Sequence, residues 1–283
     1  MKDSIHGAFM KRSWIRITLV IIALAAAAAI VIFILVRAAS RRELREAILA
    51  ELQPVTLKNC IFKRFGSAND GGYLMCENLI EPLDAAYSYG VGPNDDWGCE
   101  VSRRYHIPVQ QYDCFDPARP TCNGGIFVFH DECVGDRTGY RQSRFFDTLE
   151  NQIRKNGDSG RHVIIKMDIE GAEWDTLLAA TEELLASIPQ ITMEMHGYND
   201  PKILEVIRKL KRHFYLVNLH FNNWSCTWKA APLPAWAYQT HWVNKHIGVL
   251  DPEAPIPAPM SPLNAPDSPT WTDCQLGVRR SEP

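Results

Sequence analysis

Residues 163–174 read VIIKMDIEGAEW. An apolar run ends in alternating carboxylates, Asp168 and Glu170, turns at Gly171, and meets Glu173 where a helical pattern begins. Strand, acid, glycine, helix is the order in which an open α/β sheet holds a ligand beyond the carboxyl ends of its strands. Two upstream stretches repeat the device. Residues 85–96 (AAYSYGVGPNDD) run a strand into a glycine turn, and residues 109–117 (VQQYDCFDP) end a strand in acid. Gly-x-Gly, Asp and Asp-x-Glu-Gly at three strand ends point to a nucleoside site.

Further apolar runs at 126–130, 190–195, 215–219 and 238–243 bring the expected strands to seven. Helical patterns fall between most of them, clearest at 173–187 and 200–213, and the whole reads as a layered α/β sheet. In the second helix Asp200 is placed to cap, Pro201 suits the first helical position, and Ile203, Leu204, Ile207 and Leu210 share one face.

The globular part is expected over residues 54–250, with a charged helical stalk at 37–53 and a basic segment at 1–16. Residues 251–283, rich in proline and acid, read as a disordered tail. Residues 17–36, opening on Ile17 and closing on Val36, carry no charge. That length matches the roughly 20 residues of a transmembrane helix and exceeds the usual apolar core of a signal peptide. Four basic residues precede the span (Lys2, Lys11, Arg12, Arg16) and four follow it (Arg37, Arg41, Arg42, Arg45), so the side of the membrane is undetermined.

The net charge of −3 gives no basic footprint for nucleic acid. Eight cysteines form no CxxC pair, which argues against a zinc cluster. Cys60–Cys76 and Cys122–Cys133 are candidate bridges if the domain faces an oxidising compartment, with buried free thiols the alternative. Asn223-Trp224-Ser225 is a formal glycosylation sequon.

The first turn, Tyr89-Gly90-Val91-Gly92, lacks the sixth-position glycine of a dinucleotide fingerprint; Asp95 and Asp96 stand there instead. Their charge would repel a diphosphate and suits a ligand with an ammonium group and no phosphate, such as S-adenosylmethionine. Asp116 is favoured over Asp113 as the acid that accepts from ribose hydroxyls. His130 and Asp131, after the third strand, are candidates to read an adenine edge. Asp168, Glu170 and Glu173 lie too close together to be buried without partners. Glu194 and His196 alternate onto one face of the fifth strand, and His196 is a candidate general base. With no HExxH helix and no paired-histidine spacing, no metal site is expected. His220, Asn222 and Asn223 beside Trp224, Trp228 and Trp236 are candidates for a polar-aromatic substrate wall, or equally a packed tryptophan loop.

DGGYLMCE (70–77), YSYGVGPNDDW (87–97), FDP (115–117), IIKMDIEGAEW (164–174), ITMEMHG (191–197) and HFNNW (220–224) occur in an order that resembles the FkbM-like class I S-adenosylmethionine-dependent methyltransferases, including membrane-anchored methyltransferase-like proteins. The resemblance covers about residues 56–248, and K-x-D-x-E-G-x-E is its most specific element. It departs at the first turn, where many relatives carry D-x-G-A-N-x-G.

The resemblance implies a Rossmann-like seven-stranded, mostly parallel sheet with helices on both faces and the last strand antiparallel, here preceded by one transmembrane helix. It also implies S-adenosyl-L-methionine laid across Gly90–Gly92, with ribose on Asp116 and the methionine end near Asp168 and Glu170. The function expected is a membrane-anchored methyltransferase acting on an oxygen of a small-molecule, glycan or protein acceptor, with Asp168, Glu194 and His196 as base or orienting groups. A catalytically silent binding module of the same fold is the alternative, and a nicotinamide oxidoreductase a weaker one.

Overall fold

The computed structural model describes residues 3–116, 118–257 and 263–274, with side chains from residue 26 onward except Ala27. In chain order the elements are α1 (Asp3–Glu51), β1 (Phe62–Gly66), β2 (Gly72–Cys76), β3 (Ala85–Tyr89), α2 (Asp96–Tyr105), β4 (Pro108–Tyr112), β5 (Ile126–His130), β6 (Cys133–Val134), β7 (Gly139–Arg141) and β8 (Arg144–Asp147). They continue with α3 (Leu149–Lys155), β9 (Val163–Met167), α4 (Glu173–Ala179), α5 (Glu182–Ser187), β10 (Gln190–His196), α6 (Pro201–His213), β11 (Phe214–Phe221) and β12 (Ala237–Asn244). The chain divides within α1 into one unit ending at Leu44 and another beginning at Arg45.

The seven expected strands form one sheet in the order β11-β12-β10-β9-β3-β4-β5. β10, β9, β3, β4 and β5 pair in parallel, while β12 runs antiparallel to both β10 and β11. The last strand is thus antiparallel as expected, and it makes the sheet mixed, not mostly parallel. The reason is that β12 returns from β11 through a loop with no crossover helix, and a direct return reverses strand direction. β3 and β9, at the centre, are buried along their whole length, as strands covered on both faces must be.

Tyr87 and Tyr89 project from one face of β3 and stack with Tyr112 of β4. The Asn156 amide, just past α3, donates to the Tyr87 and Tyr112 hydroxyls at 3.2 and 2.8 Å. Against the other face, Ala86 packs with Trp97 and Val101 of α2 and with Phe65, Tyr73 and Met75 of the β1–β2 hairpin. Helices thus flank the sheet.

α1 is one continuous helix, and Ile48 at its end and Leu52 just after it are wholly buried in the second unit. The end of the expected stalk is therefore core. Half of residues 17–36 fall where side chains lie outside the described residues. Among the described residues no helix is long and apolar enough to cross a membrane, so the transmembrane helix expected there is not found.

The helix expected over 173–187 is two helices. The first stops at Ala179 with Ala180 as its C-cap, and Thr181 caps the second by accepting from the Leu184 amide. α6 starts as expected, with Asp200 as its cap and Pro201 in its first turn.

All eight cysteines are bridged: Cys60–Cys76, Cys99–Cys122, Cys114–Cys133 and Cys226–Cys274. The expected Cys122–Cys133 bridge does not form. Cys122 precedes β5 and Cys133 follows it, so a five-residue strand of roughly 17 Å separates them. Each instead pairs with a neighbour at its own end of the sheet, Cys99 in α2 and Cys114 beyond β4.

The disorder expected of the tail does not hold for residues 263–274. Asn223 donates its amide to the carbonyls of Ser268 and Trp271, both at 2.9 Å, and accepts from the Ser268 N–H at 2.8 Å. Asn223 is fully buried, so the sequon is structural and closed to glycan transfer in the folded chain.

Asp267 is buried beside β12, where the Gln239 amide donates to it at 2.9 Å. Burial, reinforced by the charges of Glu194 and Asp70, pushes its carboxyl up to about 8. The folded state therefore keeps a proton that the unfolded chain releases near pH 4, and this group's contribution to stability falls as pH rises from about 4 to 8. Asp267→Asn is expected to raise Tm at pH 8 by at least about 3 °C and to change it little near pH 4. Thermal melts across that range check the sign.

Candidate functional site

β3 leads through β4 to β5 on one side of the sheet, while β9 and β10 lie on the other. The loops after β3 and β9 therefore diverge, and a crevice opens beyond the carboxyl ends of these strands. A cleft of about 920 Å³ occupies it. Gly90 and Gly92 line it from the first turn, Asp113 and Phe115 from beyond β4, Glu132 from beyond β5, and Asp168 and Glu170 from beyond β9. Asp70 and Gly71 approach from the turn joining β1 and β2.

The floor is a backbone junction. Asp168 N–H donates to the Tyr89 carbonyl at 3.1 Å, extending the β3–β9 ladder past its last residue. Lys166, buried in β9, donates from Nζ to the carbonyls of Tyr89 (3.3 Å) and Gly90 (2.7 Å). Gly90 has φ +70°, and a Cβ added there would lie 1.6 Å from the Asp168 carbonyl oxygen. Both the conformation and the approach require glycine.

Asp168 shares its two oxygens between neighbours. Oδ2 accepts from the Tyr73 hydroxyl at 3.3 Å and lies 3.7 Å from Lys166 Nζ, while Oδ1 lies 3.8 Å from His196 Nε2. Burial and then the Asp168 charge push the Tyr73 phenol well above its ordinary value, so it stays a donor at neutral pH. Glu170 follows in the left-handed region at φ +54°, a conformation that costs a non-glycine residue of order 1–3 kcal/mol.

Glu173 is wholly buried. Its Oε1 accepts from the Ile169 N–H at 3.0 Å and meets His196 Nδ1 at 2.9 Å, tying the loop after β9 to the end of β10. Trp174 Nε1 reinforces the tie by donating to the His196 carbonyl at 2.8 Å. Glu194 accepts from the Asn222 amide at 2.9 Å and stands 3.5 Å from His196 Nε2. Four carboxylates thus surround one imidazole.

The electrostatics follow from that count. Burial alone would lower the His196 pKa, but Glu173 and Glu194 outweigh it and raise the imidazolium to about 11. Burial pushes Glu194 upward, against the pull of His196. Glu173 and Glu194 thus favour the protonated form of the ring.

The structure brings Gly90, Gly92, Asp168 and Glu170 together at the cleft and sets Glu194 and His196 directly behind Asp168. Tyr89 contributes its carbonyl, while its ring is buried in the tyrosine stack. Asp116, His130 and Asp131 lie outside the lining. Asp116 turns back to accept from Ala118 N–H at 2.8 Å. His130 stacks on Tyr112 and meets Gln110 at 2.8 Å, and Asp131 faces solvent.

Asp113 takes the position expected of Asp116. It accepts from the N–H groups of Phe115 and Asp116 through Oδ1 and of Gly92 through Oδ2, strapping two loops together. Of the expected tryptophan wall, Trp224 and Trp228 face solvent, and the Trp236 ring lies 6.0 Å from His196.

Tyr73, Lys166 and Glu132 were not among the expected site residues. The signals for the first two were the tyrosine of DGGY and the lysine two places before Asp168; Glu132 had none beyond its place after a strand. No family model, curated protein or solved structure matches this chain.

Proposed function

We propose that the chain is a membrane-anchored S-adenosyl-L-methionine-dependent methyltransferase acting on an oxygen acceptor, which is a small molecule, a glycan or a protein. The observation that carries the reading is the cleft's charge at the switch point. Seven carboxylate residues and one lysine line it, and that lysine is already spent on two backbone carbonyls. Such a site repels phosphate and attracts a ligand bearing sulfonium and ammonium charges. Its volume falls within the range of small-molecule sites.

The bound donor would supply an electrophilic methyl group. The chain's residues do the rest by position. The Gly90–Gly92 turn admits the ligand close to the backbone. Asp113 and Glu132, at adjacent strand ends, offer acceptors to sugar hydroxyls. Asp168, fixed by Tyr73 and Lys166, faces the cleft as the group that orients the acceptor or takes its proton. Glu194 and His196 hold Asp168 from behind. Anchoring through residues 17–36 rests on their uncharged length and on the apolar residues 30–36, each more than half exposed on α1. Four disulfides favour an oxidising compartment for the folded unit.

That last observation also favours the second reading, a silent binding module, because the methyl donor is made in the cytosol. Calorimetry on the full-length, disulfide-intact protein separates the two. S-adenosylmethionine or its demethylated product is expected to bind, and Asp168→Asn to weaken binding at least about tenfold, or about 1.4 kcal/mol. Absence of binding at millimolar ligand rejects the methyltransferase reading.

A further inference from the structure

We propose that Asp168, Glu170 and His196, with Glu194 beside them, form a binding site for one divalent cation of the Mn²⁺ class. The inference rests on the side-chain cluster and stands whether or not the cleft takes a methyl donor. One ligand atom from each of Asp168, Glu170 and His196 lies within 4.8 Å of the others.

The carboxylates converge on the imidazole. His196 Nε2 lies 3.5 Å from Glu194 Oε1, 3.7 Å from Glu170 Oε2 and 3.8 Å from Asp168 Oδ1. These exceed a good charge-assisted hydrogen bond, whereas Nδ1 meets Glu173 at 2.9 Å. Ligands held about 2.1 Å from one ion stand about 3.0–3.4 Å apart at octahedral or tetrahedral edges. The donor atoms of Asp168, Glu170 and His196, within 4.8 Å of one another, would close by no more than about 1.8 Å to reach those edges.

A second observation concerns the histidine itself. The His196 side chain is only 8% exposed, and its Nε2 points among Asp168, Glu170 and Glu194. Its other nitrogen is fixed by the buried carboxylate of Glu173 at 2.9 Å. A carboxylate behind an imidazole is the arrangement that orients a metal-ligating histidine and makes it a better donor.

The charge count agrees. Among the described residues, Asp168, Glu170, Glu173 and Glu194 gather around Lys166 and His196, an excess of carboxylate that a divalent ion would offset. Three oxygen donors with one nitrogen suit Mn²⁺, which accepts both, better than the harder Mg²⁺ or the thiolate-seeking ions. Asp168 and Glu170 line the cleft, so the ion's open positions face it and can take an oxygen of a ligand there. The donors come from two strand ends and a loop, a spacing that no paired-histidine motif registers.

The test uses full-length, disulfide-intact protein freed of metal by chelation and titrated with Mn²⁺ alone, free ion being followed by its paramagnetic resonance signal. One ion per chain is expected to bind below 1 mM, about the range of oxygen-rich sites. Glu170→Gln alters an exposed side chain and is expected to fold normally, with binding weakened at least about tenfold. His196→Gln is expected to remove binding. Circular dichroism of each metal-free variant verifies folding. No Mn²⁺ retained by the wild-type chain at 1 mM (about the weak limit above), or equal retention by folded Glu170→Gln, overturns the proposal. No nucleoside enters the titration, so its failure is distinct from failure of the methyltransferase reading.

Discussion

Gly90→Ala is expected to destabilise the fold by more than about 4 kcal/mol, the range in which single substitutions become exceptional. Two penalties combine. Left-handed backbone costs an alanine about 1–2 kcal/mol. The new methyl would also lie 1.6 Å from the Asp168 carbonyl oxygen, a backbone atom that cannot swing aside. Relief requires the loop after β9 to retreat, which breaks the Asp168–Tyr89 hydrogen bond and pulls Lys166 from the Gly90 carbonyl. Folded yield and thermal melts check the stability, and calorimetry with S-adenosylmethionine checks the cleft. A variant that melts with the wild type would show that the two loops are not in the contact described.

Removing the Cys226–Cys274 bridge by the double replacement Cys226→Ser/Cys274→Ser is expected to cost about 4 kcal/mol. The bridge closes a loop with a sequence separation of 48 residues, and chain-entropy scaling gives about that value. For a unit of this size each kcal/mol lowers Tm by roughly 2–4 °C, so a fall of about 8–16 °C is expected. The loss should exceed that of any exposed ion pair, because residues 263–274 also cover buried groups of β11 and β12. Asn218 pairs with Asn264, His220 meets Asp273, and Gln239 meets Asp267. Scanning calorimetry of the double variant measures it. A fall under about 2 °C would mean that these side-chain contacts hold the tail without the bridge.

How much was legible in the sequence depends on what kind of force holds each part. The sheet was legible because β9 and β3 are buried throughout and mostly apolar, while β10 alternates Ile191, Met193 and Met195 with polar residues. The antiparallel direction of β12 came from the resemblance and not from periodicity, since parallel and antiparallel strands share the same alternation. The packed tail was missed. Prolines and acids give it no period, and its hold comes from side chain-to-backbone hydrogen bonds that composition does not register.

At the site, Asp168, Glu170 and the two glycines were legible because each ends a strand. Asp116 was preferred to Asp113 because β4 was taken to run to residue 114, whereas it stops at Tyr112. The first acid beyond a strand is the one that reaches the crevice. The surroundings of His196 were not legible because its neighbours Glu173 and Asp168 come from another strand's loop, and proximity across a sheet is absent from local sequence.

The bridge between Cys114 and Cys133 covalently joins the loop beyond β4 to β6, and both of its residues belong to the rim of the cleft. Reduction would leave these two stretches of the rim linked only through the intervening chain. The spacing between Asp113 and Glu132, each next to a bridged cysteine, would then lose its covalent fastening.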